Sequence, residues 1–129
     1  MKLIIAGSMD FVQRIPVFEI IEFNITFQGL EPDVVICGCA KGVDTLGAEW
    51  AFSKGIPIEY FPANWKKHGN RAVPLRNKQM ANAADTLLVI RKADSKGSND
   101  MLYQATSRGL EVHDMIIPRN LYPIYEGTD

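Results

Sequence analysis

At 129 residues, with 47% hydrophobic and 22% charged side chains, the chain has the length of one domain and enough apolar material for a packed core. Lys and Arg number 14 against 15 Asp and Glu, a formal charge of -1 that argues against a surface built for polyanions at large. The apolar runs are short, so no membrane span is expected, and MKLIIAGS at the start lacks the longer apolar region of a secretory signal. A cytoplasmic protein is expected.

Lys2 to Ala6 is a β-branched apolar run ending at Gly7-Ser8, which predicts a buried strand and a turn. Pro16 suits the first turn of a helix, and Phe18, Ile21 and Ile25 give the stretch to Phe27 a helical period. Asp33 to Ile36 predicts a second strand that runs into Gly38 and Gly42. A helix is predicted over 43–53, with Leu46, Trp50 and Ala51 inward and Gly55 at its C-terminal cap. Ile56 to Phe61 reads as a third strand, followed by a polar loop through Trp65, His68 and Gly69.

A helix over 74–84, a fully apolar fourth strand over 86–90, a loop from Asp94 to Gly97, a helix over 98–108 and a fifth strand over 111–117 complete the pattern. Residues 1–117 are expected to form a single domain, with 118–129 as an extended C-terminal tail whose Tyr122 and Tyr125 dock on a second subunit. Apolar strands alternating with helices predict an α/β fold. The expected form is a Rossmann-like three-layer sandwich around a five-stranded, mainly parallel sheet of order 3-2-1-4-5.

In such a sheet ligands bind beyond the carboxyl ends of the strands. Three small or glycine-rich turns fall there: Gly7-Ser8, the stretch from Gly38 to Asp44, and Lys96-Gly97-Ser98. Glycines allow close backbone approach and helix N-termini offer free N–H groups, a combination suited to phosphate. The alternative is that these glycines simply make turns. Neither G-x-x-x-x-G-K-[ST] nor G-x-G-x-x-G is present, which argues against a P-loop ATPase and an ordinary NAD dehydrogenase.

Between Glu59 and Asp85 there is no acidic residue, while Lys66, Lys67, Arg71, Arg76, Lys78 and His68 fall in that stretch. It reads as a local anion site, with Arg76 and Asn77 at a helix start, or as a solvated face. Trp65 either stacks on a base or anchors its loop on the core. Asp44 either caps its helix or holds a ribose hydroxyl, and Ser98 is an N-cap or a phosphate ligand. Met80 and Met101 fall on apolar helix faces. Cys37 and Cys39 read as reduced small residues beside a tight loop, with no metal-ligand spacing around them.

These residues occur in an order that resembles a known family. The series is Gly7-Ser8, GCAKGVDTLGAEWA at 38–51, GIPIEYFPANW at 55–65, G-x-x-A-x-P-x-R-N-x-x-M at 69–80, Ala84-Asp85 and KGSNDM at 96–101. It is similar to the YspA-like branch of the SMF/DprA-LOG (SLOG) superfamily. The resemblance implies a Rossmann-like domain binding a nucleotide or nucleotide-derived ligand, such as an ADP-ribose or NAD-related molecule. It places ligand contacts at Gly7, Ser8, Gly38, Cys39, Ala40, Gly42, Asp44, Arg76, Asn77, Gly97 and Ser98.

The chain departs from the family pattern where G-S-R becomes Gly7-Ser8-Met9, where G-G-A becomes Gly38-Cys39-Ala40, and where G-T becomes Gly97-Ser98. LOG enzymes, which are similar, hydrolyse nucleoside monophosphates with an Arg and a Glu. Arg76 matches the Arg, but the Glu position falls on Met101, and a thioether cannot manage the charge of that reaction. No catalytic residue, cofactor or metal is therefore expected. The reading is a module that binds, senses or sequesters its ligand. The alternatives are a LOG-like phosphoribohydrolase, with Asp44 or Asp100 in a chemical role, and a binder of single-stranded nucleic acid, which the charge disfavours. A homo-oligomer is expected.

Overall fold

The strand-forming runs are apolar at consecutive positions over 3–6, 34–37 and 87–90, so both faces of the sheet they build have to be covered. The computed structural model, which describes residues 1–127, shows how. In chain order the elements are β1 (Lys2–Gly7), α1 (Arg14–Phe27), β2 (Val34–Cys37), α2 (Val43–Ser53), β3 (Ile58–Tyr60), α3 (Trp65–His68), α4 (Ala72–Ala83), β4 (Thr86–Arg91), α5 (Lys96–Ser107), β5 (Glu111–Ile116) and α6 (Tyr122–Tyr125). The strands form one sheet in the order β3-β2-β1-β4-β5, and every pairing is parallel. The fold is the Rossmann-like α/β sandwich that the sequence predicts.

Alternation along the strands divides the core into two layers. Leu3, Ile5, Val35, Leu88 and Ile90 face α1 and α2, where they meet Val17, Ile21, Leu46 and Trp50. Ile4, Ala6, Ile36, Leu87 and Val89 face the other way, against Met80 and Ala81 of α4 and Met101 and Ala105 of α5. Gly47 lets α2 lie against β1, since a Cβ there would stand 2.6 Å from Ile5 Cγ2. No helix among the described residues is long and apolar enough to cross a membrane.

Three local expectations change. Residues 65–68 form a helical turn rather than a polar loop, because the Asn64 side chain caps it by accepting from the Lys67 N–H at 3.1 Å. Helix α5 starts at Lys96, with Ser95 at the N-cap, so Gly97 and Ser98 lie within its first turn and Ser98 is not the cap. The C-terminal segment does not run extended. Arg119–Leu121 is a 3-10 turn, α6 follows, and Glu126 bridges back to Phe11. Tyr122 and Tyr125 pack on the Phe11 ring of their own chain, at 5.9 and 5.3 Å between centroids, rather than being free to dock elsewhere. Residues 128 and 129 of the expected tail lie outside the described residues.

Candidate ligand-binding cleft

Parallel strands deliver all their following turns to one edge, and the order 3-2-1-4-5 reverses direction between β1 and β4. A cleft of about 460 Å³ opens there. Turns after four strands line it: Gly7 and Met9 at the end of β1, Gly38 to Lys41 with Asp44 after β2, Pro62, Ala63 and Trp65 after β3, and Ser95, Gly97 and Ser98 after β4. Its floor is apolar, formed by Ala6, Val73, Met80 and Met101.

Nine of the eleven predicted contact residues reach this cleft: Gly7, Gly38, Cys39, Ala40, Asp44, Arg76, Asn77, Gly97 and Ser98. Ser8 and Gly42 stand behind it. Ser8 is buried, its hydroxyl accepts from the Lys92 N–H at 2.9 Å, and its carbonyl accepts from Val43 N. Gly42 has φ 79°, and a Cβ on it would lie 2.7 Å from the Met9 carbonyl oxygen, so only glycine lets the two turns touch.

The three turns are not alike as anion sites. The Gly7 N–H donates to Asp44 Oδ1 at 3.3 Å and Ser8 N to Ile90 O at 3.0 Å, so the N–H groups of Gly7-Ser8 are both engaged. At the second, Ala40 N donates to Asp44 Oδ2 at 3.4 Å, placing the chain's own carboxylate at the start of α2. Asp44 therefore ties the first two turns together rather than capping α2, whose N-cap is Gly42. At the third, the N–H groups of Lys96, Gly97 and Ser98 have no acceptor among the described residues, and α5 points its positive end at the cleft.

Asp44 is 4% exposed. Burial pushes its carboxyl up to about 6, against the opposing pull of the Arg76 charge and of the N–H groups of Ala40 and Gly7. Arg76 is 7% exposed and held along one edge. Its Nη1 donates to the Gly38 carbonyl and its Nε to Asn77 Oδ1 at 2.9 Å. Asn77 Nδ2 then donates to Asp100 Oδ2 at 2.9 Å, which links α4 to the start of α5. The Nη2 group has no partner among the described residues.

Other cations of the acid-free segment go elsewhere. Lys66, Lys67, Arg71 and Lys78 are exposed and none lines the cleft, so that signal holds for Arg76 alone. Trp65 is 60% exposed at the cleft mouth and is not buried as a core anchor. Met101, at the position of the LOG glutamate, is buried in the floor, while Asp100 turns toward Asn77. Both cysteines are free thiols. Burial pushes Cys37 up to about 12, whereas Cys39 is exposed in the cleft with a left-handed backbone, φ 66°. Sequence reasoning missed Pro62 and Ala63 as cleft residues, although it offered Trp65 as a base-stacking residue; the strand-end rule applied to β3 would have found this wall.

The parallel sheet and its edge cleft define a Rossmann-like α/β protein with a pocket at its switch point. The profile of the YAcAr family, described as the YspA, cpYpsA-related SLOG family, matches residues 27–68, which carry β2, α2, β3 and α3. Over that segment the chain is similar to the YspA-like branch of the SLOG superfamily. The Gene 61 protein of Mycobacterium phage D29 is 29% identical over 119 residues, covering 86% of this chain and 93% of that protein. DNA processing protein A (DprA) from Streptococcus pneumoniae shares the fold with a TM-score of 0.66 and 19% identity over 92% of this chain. The chain spans about half of DprA, 51% of its length.

Proposed function

We propose that the cleft binds a nucleotide-derived ligand, such as an ADP-ribose or NAD-related molecule, and acts as a sensor or sequestering module. The observation that carries this reading is the pair of buried, oppositely charged side chains, Asp44 and Arg76, both on the cleft. A buried carboxylate held only by two long N–H contacts is suited to accept from sugar hydroxyls. The Arg76 Nη2 and the free N–H groups of α5 are suited to phosphate. Trp65, Pro62 and the methionine floor supply the apolar surface for a base.

A thermal-shift and calorimetric screen of AMP, NAD, ADP-ribose, cyclic ADP-ribose and cyclic dinucleotides tests it. Saturable binding that disappears in Arg76→Ala and in Gly97→Asp supports the reading. Gly97→Asp is a fold-neutral probe, because a Cβ at 97 meets nothing within 4 Å while the new carboxylate faces the anion site. No shift with any compound, in a protein that melts cooperatively, would overturn it.

Binding is preferred to LOG-like hydrolysis because Met101 occupies the glutamate position and Asp100 is held by Asn77. Release of free base from AMP, lost in Asp100→Asn, would reverse that preference. The DNA-processing name of the structural relative keeps single-stranded nucleic acid as a third reading, set behind the others by the formal charge of -1. A cytoplasmic location and a homo-oligomer are proposed with this function. Exposed Ile15, Phe23 and Phe27 on α1 support self-association, and a monomer mass by light scattering would refute it.

A further inference from the structure

Lys92 follows β4 directly, at the point where the sheet reverses direction, and does not line the cleft. Its main chain stands between two cleft walls. The Lys92 N–H donates to Ser8 Oγ at 2.9 Å, on the β1–α1 turn that carries Met9. Its carbonyl accepts from Ser95 N at 3.3 Å, and Ser95 O accepts from Asn99 N at 2.9 Å at the start of α5.

The side chain makes a third connection. The side chain is 18% exposed; its ammonium group bonds Asp10 at 2.9 Å and the Glu126 carboxylate, and it lies 4.6 Å from the centre of the Tyr122 ring. The partners of this half-buried cation come from both the β1–α1 turn and the C-terminal segment. That segment is itself fastened to the turn. Val12 N and Gln13 N donate to Tyr125 O at 2.9 and 3.1 Å, Gln13 Nε2 donates to Glu126 O at 3.0 Å, and Phe11 is fully buried beneath Tyr122 and Tyr125.

We propose that Lys92 is a positioning residue of the cleft: it fixes the gap between the β1–α1 wall and the α5 wall, and holds residues 122–126 down as a strap over the first. The inference rests on reading the cleft as the binding site. Lys92 acts through Met9 on one side and through Ser95 to Ser98 on the other, without touching a ligand.

Hydrogen exchange on the full chain, with no ligand present, tests it. In Lys92→Met, amide exchange at Phe11, Ser95 and Asn99 is expected to rise about tenfold or more, while Met80 and Ala81 in α4 keep the wild-type rate. Lys92→Arg, which retains charge and donors, is expected to restore protection. Should Lys92→Met fail to fold, Glu126→Gln removes one carboxylate partner and is expected to raise exchange at the same three amides by a smaller factor. Faster exchange confined to Phe11, Val12 and Gln13 would show a strap pin with no hold on the α5 wall and would overturn the proposal. So would an equal rise throughout the chain. Failure of every nucleotide to bind would leave the exchange pattern intact, so the two readings fail separately.

Discussion

Asp44 and Arg76 flank the same glycine, yet among the described residues their hydrogen bonds go to other groups and not to each other. A Cβ placed on Gly38 would stand 2.7 Å from Asp44 Oδ2 and 2.9 Å from Arg76 Nη1. The glycine leaves the two charges a gap smaller than a methyl group, with the cleft open in front. Apart, each retains hydrogen-bonding capacity; paired, they would satisfy one another and leave little for a ligand.

Gly38→Ala is therefore expected to disturb both groups at once. Overpacking of this kind costs about 1–3 kcal/mol, and the Arg76 contact with the Gly38 carbonyl is the first to give way. Denaturant melts read the stability loss. Nucleotide affinity is expected to fall by more than the stability loss alone would cause.

Asp44→Asn separates stability from binding. A carboxyl raised from an ordinary 3.8 to about 6 binds its proton more tightly folded than unfolded. Its burial leaves stability untouched below about pH 4, lowers it progressively as pH rises through the 4–6 window, and penalises the fold by a constant amount above, on the order of 3 kcal/mol at most. The amide has no such penalty. Its melting temperature is expected to exceed that of the wild type at pH 8, with the advantage gone by pH 4, while ligand binding at pH 8 is lost. Equal pH profiles for the two proteins would show that Asp44 is not the titrating group.

Cys39 occupies a left-handed backbone position, φ 66°, that favours glycine. Cys39→Gly is expected to leave stability unchanged or raise it by about 1 kcal/mol, the relief of strain outweighing the extra freedom of the unfolded chain. In the wild type a thiol-alkylating reagent is expected to modify Cys39, which is exposed, and to spare Cys37, which is buried and held protonated. A bound nucleotide should slow the reaction at Cys39, which makes mass-spectrometric labelling a direct report on occupancy.

Phe11→Ala removes a fully buried ring from between two tyrosines. The expected loss is about 3–5 kcal/mol in a thermal or denaturant melt.

Much of this architecture is legible in the residues. Consecutive apolar runs such as Leu87 to Ile90 suit strands covered on both faces, and their alternation with helices points to the parallel order. The cleft residues follow because a parallel sheet gathers its turns on one edge. What the sequence hides is how each turn's donors are used. Gly7-Ser8 and Gly97-Ser98 look alike as strings, yet the first has its N–H groups engaged by Asp44 and Ile90 while the second presents them free. The C-terminal segment is illegible for another reason: its fold depends on Phe11, a partner remote in sequence, and not on any local period.

That remoteness has a consequence for how the protein is made. Gln13 and Glu126, which bond across the strap, are separated by 113 residues. Closing so long a loop is among the slow steps of folding, and during translation it has to wait until the last of these residues has left the ribosome. A nascent chain already holding β1, β4 and α5 has every cleft residue named above but not the strap that steadies the first wall.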